Sequence, residues 1–272
     1  MNSDRVPPTQ VHVYDDDFSD PWSDNIPILF QHGFARTANL FRGWVPYLSR
    51  KHRVLRADLP GCGLSPDPGP DYEFSTEDFV ATALAILDDR GIEKVHYVGE
   101  GVGGVIGAAL GGQHPDRVAS LTALSMPLRV NTSISGNATQ GQDSWGEALQ
   151  KLGTREWWIR KCEAAGDLIG DRAIDEWVAD EIGSTPTNIA VALSKWAVTW
   201  DYAKLLPEVT SPILLIWAEN WRPVGQPERD EVAALNERAS QFLVPGLDTM
   251  LFPYVYPDSV APTVASFIDG QA

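Results

Sequence analysis

Short apolar runs alternate with helical patterns along the first half of the chain, and this alternation restricts the fold more than any other feature. The runs are IPILF (26–30), RVLRAD (53–58), KVHYVG (94–99), VASLTAL (118–124) and, much later, PILLIWA (212–218). Their β-branched and aromatic content reads as buried strands. Between them, helical patterns fall at 38–50, 75–90 and 102–113. The second opens with STED (75–78), where Ser75 or Thr76 serves as cap and acidic residues fill the first turn. Strand–helix alternation of this kind calls for an α/β architecture, a mostly parallel central sheet covered by helices on both faces.

The alternation stops near residue 128. From there to about 205 the pattern is mostly helical and holds Trp145, Trp157, Trp158, Trp177, Trp196 and Trp200. Strand-like sequence then resumes at SPILLIWA. The simplest division is a core of 1–128 and 205–272 with a helical cap, 129–204, inserted between two strands of one sheet. A length of 272 residues suits one domain with such an insertion. The tryptophans have two readings: ordinary packing of the cap, or the lining of a pocket between cap and sheet.

Composition narrows the partners. A formal net charge of −16 argues against nucleic acid and anionic membrane surfaces, which need clustered Lys and Arg. No apolar run approaches a membrane span of roughly 20 residues. The N-terminal stretch MNSDRVPPTQVHVYDDDFSD lacks the basic start and apolar stretch of a signal peptide. The two cysteines, Cys62 and Cys162, show no metal-ligand spacing and no disulfide framework, so a reducing cytoplasmic setting is the default. No zinc spacing, P-loop or EF-hand occurs, and GEGVGG fails the dinucleotide fingerprint. No metal and no cofactor is expected. A small-molecule ligand is, and a homodimer is left open.

Four stretches then occur in a fixed order: QHGF (31–34) after the first buried strand, DLPGCGLS (58–65) after the second, VGEGVGG (98–104) joining strand to helix, and HPDRV (114–118) ending that helix. Together they resemble the α/β-hydrolase fold family, over roughly residues 25 to 270. The resemblance implies a central sheet with an active site at its strand ends, an elbow of the G-x-S-x-G type and an oxyanion hole. It places the oxyanion donors at the backbone N–H groups of Phe34 and Val102, which no side-chain change removes.

The side chains of the family's triad are another matter. Its serine falls on Gly101, its acid on Trp221 in AENW, and its late histidine on Thr249 in PGLDTML. An acid after the preceding strand is missing too, since LSMP offers only Ser125 and Met126. The five histidines are His12, His32, His52, His96 and His114, so no shift of alignment supplies a late base. His32 belongs to the oxyanion loop, as a structural ring or a pocket residue. Without a nucleophile at 101 no acyl-enzyme can form, and triad hydrolysis is not expected.

The remaining candidates for chemistry are Glu100, beside the elbow, and Asp248, beside the histidine position, each as general acid or base. His32, Ser125, Trp145, Trp157, Trp158, Trp196, Trp200 and Tyr254 are the candidate pocket residues. Three functions stay open. The first is a non-hydrolytic enzyme of lyase, cyclase, isomerase or dehydratase type, acting on a small apolar carbonyl compound through the retained oxyanion hole. The second is an inactive ligand-binding or scaffolding protein. The third is a hydrolase using carboxylate-activated water.

Overall fold

The computed structural model describes residues 10–127, 129 and 132–271. The first nine residues of the N-terminal stretch discussed above lie outside it, as does residue 128, where the core is expected to break off.

Seven strands form one sheet in the order β1-β3-β2-β4-β5-β6-β7. They are β1 (Val13–Asp16), β2 (Ile28–Gln31), β3 (Val54–Ala57), β4 (Val95–Glu100), β5 (Val118–Leu124), β6 (Ile213–Ala218) and β7 (Ala239–Val244). β1 pairs antiparallel to β3, and every other pairing is parallel. The five expected apolar runs each hold one strand. β1 and β7 are edge strands with half-exposed residues, so neither carries a continuous apolar run.

The helices are α1 (Val45–Leu48), α2 (Thr76–Asp88), α3 (Val102–Gln113), α4 (Thr132–Thr139), α5 (Trp145–Leu152), α6 (Thr154–Ala165), α7 (Arg172–Gly183), α8 (Thr187–Ala197), α9 (Tyr202–Leu205), α10 (Gln226–Ala234), α11 (Phe252–Val255) and α12 (Pro257–Asp269). The pattern at 38–50 resolves into a 3-10 turn, Ala38–Trp44, followed by the short α1. The cap expected for α2 is Ser75, whose Oγ accepts from the Asp78 N–H at 3.1 Å. Helices α4 to α9 all fall between β5 and β6, α5 packing on α8 and α6 on α7. Among the described residues no helix is long and apolar enough to cross a membrane.

Register explains where a site can form. Gln31 of β2 stands opposite Gly99 of β4, and Glu100 of β4 opposite Leu124 of β5. The carboxyl ends of three neighbouring strands are therefore level. The chain leaves β2 for one side of the sheet and β4 for the other, which opens a crevice above those ends. Phe34, just after β2, reaches up to the inserted helices, with its ring 5.7 Å from Trp145 and 5.5 Å from Trp157.

The turn from β4 to α3 is a single residue, Gly101, at φ 53° and ψ −119°. That conformation is open to glycine and strained for any L side chain. Two residues on, a Cβ at Gly103 would overlap the Gln31 carbonyl, so glycine is what lets α3 lie against β2.

Candidate functional site

The elbow backbone presents its helix N-terminus to a cavity. Phe34, Gly101 and Val102 all line that cavity, and among the described residues neither the Phe34 nor the Val102 N–H has a hydrogen-bond partner. The Gly101 N–H is held by the Leu124 carbonyl at 3.0 Å, which fixes the turn. The space where a side chain at 101 would project is open: a Cβ placed there would find its nearest atom, Gly33 Cα, 4.0 Å away. Two main-chain donors thus meet above an elbow that carries no nucleophilic atom.

A buried ionic cluster lies directly behind them. Glu100 is fully buried; its Oε2 accepts from the Tyr254 hydroxyl at 2.8 Å, and its Oε1 lies 3.5 Å from Arg36 Nη2. Burial pushes the Glu100 carboxyl above the ordinary glutamate value, against the pull of the Arg36 charge and the Tyr254 hydrogen bond. Burial likewise raises the Tyr254 hydroxyl well above its usual range, with the Glu100 charge adding to it. Arg36 is covered by the Trp158 ring, 4.9 Å from its centroid, and by Tyr254 at 5.6 Å. Lys161 of α6 also lies over Trp158, at 4.8 Å, and points its Nζ at Met250 Sδ, 3.4 Å away.

The third element is Asp167, just past the left-handed Gly166 that ends α6. It is 1% exposed. Oδ1 accepts from the Trp221 indole N–H at 2.9 Å and the Met250 N–H at 3.2 Å, while Thr249 Oγ1 donates to the Asp167 carbonyl at 2.9 Å. Oδ2 has no hydrogen-bond partner among the described residues. Trp221 and Thr249, the positions that the resemblance assigns to the family's acid and histidine, therefore both serve to hold this aspartate.

The cavity walls combine these groups with aromatic rings. Glu100, Asp167, Arg36, Lys161, Ser125, Trp145, Trp157, Trp158, Trp200 and Trp221 all contribute. The volume is about 90 Å³, below the roughly 150 Å³ of an engineered cavity that takes benzene. The indole N–H groups of Trp145 and Trp200 are buried and have no hydrogen-bond partner among the described residues. Among the described residues no group of three or more His, Cys, Asp or Glu comes together as metal ligands.

Four expected site residues, Asp248, Trp196, His32 and Tyr254, do not line the cavity. Asp248 is exposed and does not line the cavity: Thr249 turns inward to the Asp167 carbonyl and receives the Leu251 N–H at 3.1 Å, which leaves its neighbour facing solvent. Trp196 packs on Phe79, ring centroids 4.6 Å apart, and donates to Thr76 Oγ1 at 3.1 Å, away from the cavity. His32 is fully buried and spends both nitrogens on the backbone. Its Nε2 accepts from the Leu59 N–H at 2.9 Å, so Nδ1 carries the proton and donates to the Gly33 carbonyl at 2.8 Å. Burial also lowers its pKa, and the ring is a neutral brace for the loop after β2. Tyr254 stands behind the wall and acts on it through Glu100. Ser125, with φ 51°, donates to the Met250 carbonyl at 3.2 Å.

Arg36, Lys161, Asp167 and Met250 are not among the residues that the sequence singles out. Only Arg36 carries a signal, two places beyond the oxyanion loop residue Phe34. The other three reach the cavity through the packing of the insertion on the core.

A family model described as alpha/beta hydrolase fold matches residues 26–156. A curated protein described as a probable esterase, from Oryza sativa subsp. japonica, is 27% identical over 200 residues, 70% of this chain and 71% of its own length. The 2-hydroxymuconate semialdehyde hydrolase of Pseudomonas sp. (strain CF600) is 31% identical over 124 residues, and the aligned stretch spans 44% of this chain and 42% of that protein. Among solved structures, an enol-lactonase from Burkholderia xenovorans LB400 superposes with a TM-score of 0.74 at 17% identity, covering 95% of this chain and 96% of that one. A thermophilic esterase from Thermogutta terrifontis gives 0.78 at 21% identity, with 96% and 93% covered. The chain has the α/β-hydrolase fold, with a mostly parallel seven-stranded sheet flanked by helices.

Proposed function

We propose that the protein is an enzyme of this fold that works without the Ser-His-Asp triad and acts non-hydrolytically on a small, apolar carbonyl compound. The observation that carries the reading is the elbow itself. Gly101 keeps the tight strand-to-helix turn of a nucleophile elbow, lacks the nucleophile, and leaves the Phe34 and Val102 N–H groups unpaired at the cavity. Such donors stabilise a negative oxygen developing on a carbonyl whether or not a covalent bond forms. Glu100, whose burial favours its protonated form, supplies an acid within the same walls. In this reading helices α4 to α9 form the cap that closes the cavity, and the reaction is of the lyase, cyclase, isomerase or dehydratase kind. The location is cytoplasmic, and neither nucleic acid nor a membrane is a partner.

A second reading is hydrolysis by a carboxylate-activated water. It is favoured by the activities named for the similar proteins, an esterase and a semialdehyde hydrolase, and by the carboxylates of Glu100 and Asp167 in one cavity. The experiment that separates the two is turnover of activated acyl esters together with labelling by a serine-directed phosphonate. The proposal expects neither above background. Ester turnover without labelling moves the assignment to the water mechanism, and stoichiometric labelling in the cavity overturns both.

A further inference from the structure

We propose that Asp167 is the general base of this cavity, and that its substrate is a small enolisable carbonyl compound held with its oxygen on the Phe34 and Val102 N–H groups. This rests on the non-hydrolytic carbonyl reading above and names the base and the substrate class within it.

Asp167 has the arrangement a proton-accepting carboxylate needs. One oxygen, Oδ1, is fixed by the Trp221 and Met250 N–H groups, and the backbone carbonyl is fixed by Thr249. Asp167 contributes to the wall that Gly101 and Val102 share, and its other oxygen, Oδ2, is buried with no hydrogen-bond partner among the described residues. Buried carboxylate oxygens are ordinarily satisfied, because leaving one free is costly. Restraining the group through Oδ1 while Oδ2 stays free keeps the base oriented without occupying its reactive atom.

Glu100 does not fit the same task. Its Oε2 already accepts from Tyr254, its Oε1 makes no hydrogen bond but is ion-paired with Arg36 at 3.5 Å, and a Cβ on Gly33 would overlap its carboxyl. Its charge partner is already in place, whereas among the described residues Asp167 Oδ2 has no hydrogen-bond partner and no ion pair. The substrate's class follows from the walls. Aromatic rings take a small apolar body, and about 90 Å³, less than a cavity that takes benzene, limits it to fewer atoms than a six-membered ring.

In the step itself, Asp167 Oδ2 takes the proton from the carbon next to the carbonyl. The C–H pair becomes a C=C bond, and the carbonyl π pair moves to the oxygen, giving an enolate on the Phe34 and Val102 donors. Returning the proton from Asp167 to a conjugated carbon moves the double bond, so atoms and charge balance without oxidant or co-reactant.

3-Butenal tests this, since its conversion to 2-butenal is that proton transfer and is read by absorbance. When the substrate carries deuterium on the carbon next to the carbonyl, the γ-carbon should gain that deuterium. The wild-type protein should accelerate the isomerisation, and Asp167→Asn should lower the rate at least about 10²-fold. Asparagine keeps an oxygen for Trp221 and Met250, and an unchanged melting temperature would show the fold intact. Asp167→Ala should be equally slow and recover in proportion to added formate, which a structural role would not produce. If the wild type accelerates and Asp167→Asn matches it, the assignment of Asp167 is wrong while the carbonyl reading stands. If the wild type gives neither isomerisation nor deuterium transfer, the enolisation proposal falls together with the carbonyl reading beneath it.

Discussion

The indole N–H of Trp221 donates to Asp167 Oδ1 at 2.9 Å, joining the loop after β6 to the end of α6. Trp221 stands where the resemblance places the family's acid, and at that position an indole anchors a carboxylate from the segment between β5 and β6. Both partners are buried, which shields the bond from water.

Trp221→Phe removes the donor and keeps an aromatic ring. The variant should lose about 1–3 kcal/mol, because Asp167 keeps its burial and loses one of its two Oδ1 partners. Denaturant unfolding of the two proteins measures the difference. A loss within about 0.5 kcal/mol, the range of neutral surface changes, would show that the anchor does not hold the insertion down.

Gly101→Ser should not produce an efficient esterase. The open space at 101 admits the side chain, but no described histidine lines the cavity to relay a serine's proton, and Thr249 and Trp221, at the family's histidine and acid positions, are committed to Asp167. The substitution should also destabilise by about 1–3 kcal/mol, since φ 53° is strained for any residue with a Cβ. Ester turnover at ordinary hydrolase rates by this variant would show that a base has been overlooked.

The residues that could be read from sequence are those whose role is fixed by local pattern. The elbow glycines, the buried strands β2 to β6 and the Ser75 cap all follow from neighbours a few positions apart. Asp248 misled for the same reason: adjacency to Thr249 put it near the site, while the inward turn of Thr249 pointed it out. Asp167 and Lys161 lie in helical sequence with nothing local to mark them. Their place is set by contacts with Trp221, Thr249 and Met250, 54 to 89 positions away along the chain.

His96 should make the fold acid-sensitive. The ring is buried in β4 with Nδ1 2.8 Å from Ser120 Oγ, and burial lowers its pKa to about 4 from 6.5, with His52 adding to the effect. The unfolded chain therefore binds a proton in a range where the folded one does not. The stability contributed is present above about 6.5 and is lost as pH falls towards 4. Comparing urea midpoints at about pH 7.5 and pH 4.5, the wild type should fall further than His96→Gln. Equal falls would assign the acid sensitivity to other groups.

Glu100 has the opposite sign, which gives the pH dependence of activity a second handle. Its folded-state pKa is raised above the ordinary 4.5 by burial, so the native protein holds a proton that the unfolded chain releases. The stability linked to it is present below 4.5 and is lost as pH rises through the raised value. Catalysis that uses the protonated acid should decline over the same upper range. Glu100→Gln cannot titrate. It should lose the upper limb of the stability profile and lower turnover by about 10²-fold if the acid donates a proton during reaction. Stability and activity separate the roles: a flattened stability profile with unchanged turnover would leave Glu100 as the structural partner of Arg36 and Tyr254. If the upper limb of the stability profile survives in Glu100→Gln, the raised pKa belongs to another group of the cluster.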